Sequence, residues 1–504
     1  MLAKAYSNAV MGLDGYLVEV EIDLSQGLPS FNIVGLPDTA VREAKERVKA
    51  AIKNSGFQFP VKRITVNLAP AAIKKKGPIF DLPIAVGILA AVDLVEEKKL
   101  DDYTLVGELS LDGRVKRVTG ALSMALATKK EGKEGIVLPQ ANAKEAAVVD
   151  GLEVIAVENL SDIIDFFNYE DKKIESFEES FQLVPNYKID YQDVKGQEHA
   201  KRALEVAAAG QHNLVMIGPP GAGKTMLAKR LPTILPPLTK EEALEVTKIF
   251  SIIDKLPQEE SLIKMRPFRS PHHTISQAGL IGGGRIPQPG EISLAHRGVL
   301  FLDELTEFKR QTLEILRQPL EERKITLTRS AITLSYPCEF LLIAALNPCP
   351  CGYYGSSAKE CTCTPYQRQN YLNKISGPIL DRIDIHLEVP ELEAEELTNY
   401  QQGESSAQIK ERIIRARAVQ LARFEGSDLD YNAEMNSKDV EEYCLLDKEA
   451  EKMIKNAISR LNLSARAYDR ILKLARTIAD LDQAEIITID HLGEAIQYRS
   501  LERL

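Results

Sequence analysis

The densest chemical signal in the chain is the run Gly218, Pro219, Pro220, Gly221, Ala222, Gly223, Lys224 and Thr225. Glycines at this spacing let backbone N–H groups turn inward around phosphate oxygens. The lysine then reaches the β- and γ-phosphates and the threonine hydroxyl serves Mg²⁺. An apolar run, Asn213-Leu-Val-Met-Ile217, precedes the motif, and Met226-Leu-Ala-Lys-Arg-Leu231 follows it. Buried strand, glycine-rich loop and helix is the order such a cradle requires, because the helix N-terminus adds partial positive charge. The residues therefore point to a bound nucleoside triphosphate, with 218–226 as its contacts.

Three further groups have the right chemistry in the right order. Val299-Leu-Phe-Leu302 runs into Asp303 and Glu304. An aspartate at a strand tip can hold the Mg²⁺ shell, and the adjacent glutamate can orient and activate an attacking water. The strand-like run Phe340–Leu346 ends at Asn347, which can position the same water or the γ-phosphate. Carboxyl ends of strands in an open α/β sheet form its ligand crevice, so these tips should converge on the glycine-rich loop. Arg382 precedes an alternating strand, Ile383–Val389. It is either an arginine finger for a neighbouring subunit, worth roughly 10³–10⁵ in rate, or a surface ion pair with Asp381 or Asp384. After the N-cap Ser464, the residues Ala467, Ile471, Leu474, Ile478 and Leu481 form an apolar helical stripe. Arg466, Arg470, Lys473 and Thr477 line another face, which is either a solvated basic surface or the seat of a lid arginine sensing the γ-phosphate.

Cysteine pairs at Cys349/Cys351 and Cys361/Cys363 could close a tetrahedral Zn²⁺ shell and pin a short loop, or remain free thiols. Cys338 and Cys444 read as core residues. Ile325–Leu334 reads as a β-hairpin with Arg329 and Ser330 at its tip.

These groups need a scaffold, and the 504 residues allow roughly two to four domains. Up to Phe167 the pattern alternates strand and helix: strands at Tyr16–Ile22, Ile64–Leu68, Ile136–Leu138 and Val154–Val157, helices at Asp38–Ser55 and Phe80–Val95. The resulting division is an α/β domain over 1–167, a polar linker over 168–189, a P-loop α/β/α core over 190–390, and a helical lid over 391–504. A net charge of −10 argues against coating nucleic acid with the whole surface, though not against a local basic channel. The apolar stretch Ile79–Val95 is interrupted by Asp81, Pro83 and Asp93, and the first residues lack the apolar core of a secretory signal. The expectation is a cytoplasmic chain without a membrane partner, in which six cysteines stay reduced.

Together these parts resemble the AAA+ ATPases, specifically the Mg-chelatase-like branch of ComM/YifB type. Arg266-Pro-Phe-Arg-Ser-Pro-His-His-Thr274, Gly279–Gly284, Pro289–His296 and Asn347-Pro-Cys-Pro-Cys-Gly352 carry the match. The resemblance implies ATP as the nucleotide, Asp303/Glu304 as the Walker B pair, Asn347 as sensor 1, Arg382 as the finger and Arg466 as sensor 2. Asp193–Gln197 looks like the adenine-side segment. The resemblance further implies a homohexameric ring acting on single-stranded or branched DNA, with branch migration in recombination and natural transformation as the activity and recombination proteins as further partners. Pore loops are implied for the 266–285 stretch and the hairpin, making Arg269, Lys324 and Arg329 the candidate phosphate-backbone contacts. The alternative use of both loops is subunit packing. The N-terminal part resembles the Lon protease C-terminal domain, of ribosomal-S5 type, at Lys76-Gly-Pro78 and Gly107–Val115. Ile79 and Leu122 stand where Lon has its serine and lysine, so peptide hydrolysis by that pair is not expected. Rival readings are a metal-insertion ATPase subunit, as in Mg-chelatases, and an ATP-dependent chaperone-type remodeller.

Overall fold

In a computed structural model, the alternation beginning at Tyr16 is the middle of a longer strand, and that strand pairs along its length with the N-terminal residues. The described residues are 1–169, 187–257, 260–284, 287–329, 332–356, 359–391, 403–461 and 464–499. Most of the linker read at 168–189, the tip residue Ser330, Arg285, most of 391–406 and the last residues to 504 lie outside them. The chain divides into two compact units, 1–183 with 240–263, and 184–239 with 264–504.

The first unit is built on a seven-stranded sheet. Its strands are β1 (Leu2–Met11), β2 (Asp14–Ser25), β3 (Ser30–Val34), β4 (Arg63–Ala69), β5 (Tyr103–Leu105), β6 (Gly135–Pro139) and β7 (Glu153–Val157). The spatial order is β3-β4-β2-β1-β5-β6-β7. β1 and β2 run antiparallel from Leu2 opposite Asp23 to Met11 opposite Asp14. β1 then pairs in parallel with β5. An N-terminal stretch with little hydrophobic bulk thus holds the middle of the sheet. Its Ser7 and Asn8 are tolerated there because Ser7 Oγ donates to Leu105 O at 2.8 Å and Asn8 Nδ2 to Thr128 Oγ1 at 2.6 Å. The helix Asp81–Ala90 is buried throughout, and its one charge, Asp81, is gripped by Arg47 Nε at 2.6 Å and Nη2 at 2.9 Å.

At the Lon-like position, Leu122 is fully buried and its N–H donates to Glu145 Oε1 at 3.0 Å. Neither it nor the half-buried Ile79 offers a nucleophile or a base. The unit also contains the helix Lys240–Ser251, which packs on Ala121–Lys130 through Ala243, Val246, Thr247 and Ile249. This differs from the division read in the sequence, where 240–263 falls inside the 190–390 core. The apolar face of the helix buries itself in the first unit, and Ser251 Oγ hydrogen-bonds to Glu145 there.

The second unit holds a five-stranded sheet. Its strands are β8 (Leu214–Ile217), β9 (Phe268–Arg269), β10 (Gly298–Leu302), β13 (Phe340–Leu346) and β14 (Ile385–Glu388). The antiparallel hairpin β11 (Lys324–Arg329) and β12 (Ile332–Pro337) stands apart from that sheet. The order is β9-β10-β13-β8-β14 and every pairing is parallel. β8 and β13 are buried at every residue, as a sheet covered on both faces requires. Between Ile383 and Val389 the apparent alternation is misleading: His386 is buried as fully as its apolar neighbours. The C-terminal helices Ser406–Arg423 and Ala465–Leu481 pack on Glu198–Gly210 and share one hydrophobic core with the sheet.

The polar face of Ala465–Leu481 is not solvated along its length. Thr477, Arg476 and Asp480 are buried, and Asp480 accepts bonds from Arg423 Nη1 at 2.8 Å, Arg476 Nε at 3.0 Å and Asn432 Nδ2 at 2.7 Å. Asp480→Ala would leave the Arg423 and Arg476 guanidinium groups without their shared carboxylate, and breaking such a buried pair typically costs about 3–5 kcal/mol. The denaturant midpoint of this unit should fall accordingly, whereas Asp428→Ala at an exposed turn should leave it unchanged.

Candidate active site

Register alone brings the predicted residues together. Ile217 of β8 lies opposite Leu346 of β13 and opposite Glu388 of β14, and Leu302 of β10 lies opposite Ala344. The glycine-rich loop, Asn347 and Asp303 therefore leave the sheet on the same edge. Gly218 must be glycine, because a Cβ there would meet Val389 O at 2.1 Å. Gly221 and Gly223 take φ of +85° and +88°, which turns the loop into the helix Lys224–Ile234.

Lys224 is 8% exposed, and its Nζ donates to Gly218 O at 2.6 Å, Pro219 O at 2.8 Å and Asn347 Oδ1 at 3.4 Å. Burial lowers its pKa from the ordinary value, with the Asp303 carboxylate opposing that shift. Thr225 Oγ1 donates to Asp303 Oδ2 at 2.7 Å, so the two oxygens that would hold Mg²⁺ are already adjacent. The hydroxyl, the carboxylate and a helix N-terminus with unpaired first-turn N–H groups suit a phosphate-bound cation. Met226 is exposed beside them at 46%. Gln197 Nε2 donates to Pro390 O at 2.8 Å and lies 3.5 Å from Ala222 O, tying the Asp193–Gln197 segment to the loop.

Glu304 is exposed and sits at a φ of +52°, its N–H donating to Asp303 Oδ1 at 3.0 Å. A left-handed non-glycine residue beside a nucleotide cradle is backbone strain placed where chemistry occurs. His273 Nδ1 lies 3.1 Å from Glu304 Oε2, and its ring centroid lies 4.1 Å from that of His272, the planes tilted by 33°. The pairing of Glu304 with His273 was not legible in the sequence. Its only signal is a polar ring just past β9, the strand that pairs with β10.

Arg382 occupies the other edge of the sheet. Its carbonyl accepts from Asn213 Nδ2 at 3.1 Å, and Asn213 immediately precedes β8. Four residues of strand, about 13 Å, separate that end from Gly218. The Arg382 side chain pairs with Glu321 and donates to Pro378 O at 2.5 Å, so neither Asp381 nor Asp384 is its partner. Arg470 lies 3.5 Å from Asp384 and lines, with Lys473, the same cleft as Arg382. Arg466, one turn earlier, is exposed and outside that cleft. Burial would raise the Asp384 carboxyl, but His212, Arg470 and Lys473 hold it down at about 2. The His212 ring continues inward to Thr477 Oγ1 at 2.8 Å.

Among the candidate polynucleotide contacts, Lys324 and Arg329 are exposed on the hairpin. Arg269 is half-buried and makes a bidentate pair with Glu291, at 2.6 and 2.8 Å. The four cysteines converge, with all four sulfurs within 4.8 Å of one another.

If His273 restrains Glu304, His273→Ala should release it. A contact between polar side chains this exposed is worth about 1 kcal/mol, so basal nucleotide hydrolysis measured by phosphate release should rise about fivefold. A fall in rate would show instead that the imidazole assists the glutamate.

The family described as magnesium chelatase, subunit ChlI, matches residues 190–397, and its C-terminal part matches 403–499. A further match, to subunit ChlI of Mg-chelatase, covers 20–142. The chain is 45% identical over 508 residues to competence protein ComM of Haemophilus influenzae, covering 100% of this chain and 98% of that protein. It is 44% identical to YifB of Escherichia coli over 504 residues, with the same coverage. A shorter similarity, 34% over 144 residues, relates 27% of the chain to 26% of Lon protease 2 of Bacillus subtilis. Among the described residues no helix is long and apolar enough to cross a membrane. With the P-loop edge assembled as above and relatives matching from end to end, the chain belongs to the Mg-chelatase-like AAA+ ATPases of the ComM/YifB type.

Proposed function

We propose that this chain is an ATP-driven motor acting on DNA, working as a homohexameric ring and promoting branch migration. The observation that carries the ring is the placement of Arg382 at the sheet edge opposite its own glycine-rich loop. A side chain on that edge lies away from its own subunit's glycine-rich loop, which supports a role toward a nucleotide held by a neighbour. The DNA half of the reading rests on two supports: the end-to-end similarity to a protein named competence protein ComM, and the exposed cations Lys324 and Arg329 on a hairpin. Recombination during transformation is the setting this reading fits, with the cytoplasm as its compartment.

Each residue then has a task. Lys224 and the loop N–H groups bind the β- and γ-phosphates. Thr225 and Asp303 would hold Mg²⁺, which when bound would supply charge neutralisation on the phosphates. Glu304 orients the attacking water and takes its proton at a carboxylate oxygen, while Asn347 fixes that water against the γ-phosphate. Arg382 of one subunit, with Arg470 in the same cleft, faces the transition-state charge on the next, and Arg466, one turn before Arg470, keeps the γ-phosphate-sensing role that the resemblance implies. The cysteine quartet has the donor set of a structural Zn²⁺ site and stands outside this hydrolytic chemistry.

The matching family's own description favours a second reading, a metal-insertion ATPase subunit. Forked or single-stranded DNA should raise ATP turnover several-fold, where a porphyrin or an unfolded protein does not. Glu304→Gln, which should bind ATP without turning it over, is the control. Indifference to DNA together with stimulation by porphyrin would sink the motor reading. In rings doped with Arg382→Ala subunits, activity should fall faster than the fraction of mutant added. A strictly proportional fall would remove the action across subunits.

A further inference from the structure

The cysteine quartet is unused by hydrolysis, yet it adjoins the hydrolytic residues in the chain. Cys349 follows Asn347 by two positions, and Cys351 is followed directly by Gly352. Cys349 Sγ lies 3.3 Å from Cys351 Sγ and 3.7 Å from Cys361 Sγ, and Cys351 Sγ lies 3.6 Å from Cys361 Sγ. Tetrahedral coordination at a Zn–S length of 2.3 Å places sulfurs about 3.8 Å apart. Disulfides would draw the sulfurs together in pairs, but three of them are nearly equidistant and all are free thiols. Cys363 N–H points at Cys361 Sγ at 3.4 Å, the kind of outer bond that steadies a thiolate ligand. Among the described residues from Cys349 to Cys363 only Cys349 and Gly352 are buried, so the loop has no core of its own.

Gly352 connects this loop to the nucleotide. At its φ of +86° a Cβ would come within 2.9 Å of Pro220 Cγ and Cδ and 3.9 Å from Asn347 Cγ. The bare backbone of Gly352 therefore lies against the glycine-rich loop beside the amide that contacts Lys224.

We propose that Cys349, Cys351, Cys361 and Cys363 bind one Zn²⁺, and that the metal-closed loop braces Pro220 and Asn347 in the geometry that binds ATP. Loss of the metal loosens the brace, so zinc occupancy sets nucleotide affinity without any zinc ligand touching the nucleotide. This coupling rests on the ATPase reading above, whereas the metal site does not.

The test uses the full chain, with metal content by plasma mass spectrometry and affinity from a fluorescent ATP analogue. Wild type should carry about one zinc per chain. Cys361→Ser with Cys363→Ser should lose the zinc and bind the analogue about tenfold more weakly. Gly352→Ala keeps every ligand: its zinc should stay stoichiometric while affinity falls in the same direction. That variant keeps the coupling testable if the double serine variant does not fold. Wild-type chain purified without zinc would overturn the site. Unchanged affinity in Gly352→Ala, or in a folded zinc-free variant, would overturn the coupling. Wild type that carries zinc but binds no nucleotide would sink the ATPase reading with the coupling and leave the metal site standing.

Discussion

A buried ammonium surrounded by uncharged oxygens organises the second unit. Lys224 has two carbonyls of its own loop and the amide of Asn347 within bonding reach, and no carboxylate among those partners. Its charge is thus solvated but not neutralised, which leaves a positive site ready for phosphate. Because one of those oxygens belongs to Asn347, the tip of β13 and the loop after β8 are held by the same proton donor. The Thr225–Asp303 bond adds the tip of β10 in the same way. Three parallel strands are thereby tied at one edge by side-chain hydrogen bonds.

The opposite edge is organised by ion pairing instead. Asp384 faces His212, Arg470 and Lys473, and Thr477 carries the polar contact on toward Asn432 and Asp480. One edge therefore offers a positive cradle, and the other a cluster of arginines whose carboxylate partners lie at the cleft surface or just beneath it. β8 runs from one to the other, which gives the unit a rigid connection only four residues long.

Much of the cradle was legible because its residues are contiguous or sit at the ends of apolar runs. Lys224, Thr225, Asp303 and Asn347 are such residues, and parallel register brings them to one edge. What escaped has a different origin. β1 has alanine, serine and asparagine where a strand signal needs bulk, and only its buried hydrogen bonds explain it. The strand at 385–388 looked half-exposed because His386 is polar, but burial pushes that ring down to about 3 and keeps it neutral in the core. The partner of Arg269 is Glu291, 22 positions on, a pairing that local spacing does not announce. His273 beside Glu304 depends on two loops meeting in space, which spacing along the chain does not encode.

The helix Lys240–Ser251 has a consequence for synthesis. It belongs to the first unit by packing but follows the glycine-rich loop in the chain. A ribosome that has finished residue 183 has not yet supplied the face that covers Ala121–Lys130. The N-terminal unit must wait, incompletely closed, until residues of the nucleotide cradle have already emerged. Cutting the gene at the apparent boundary near 168–189 would part that helix from its seat, leaving apolar surface uncovered on both products.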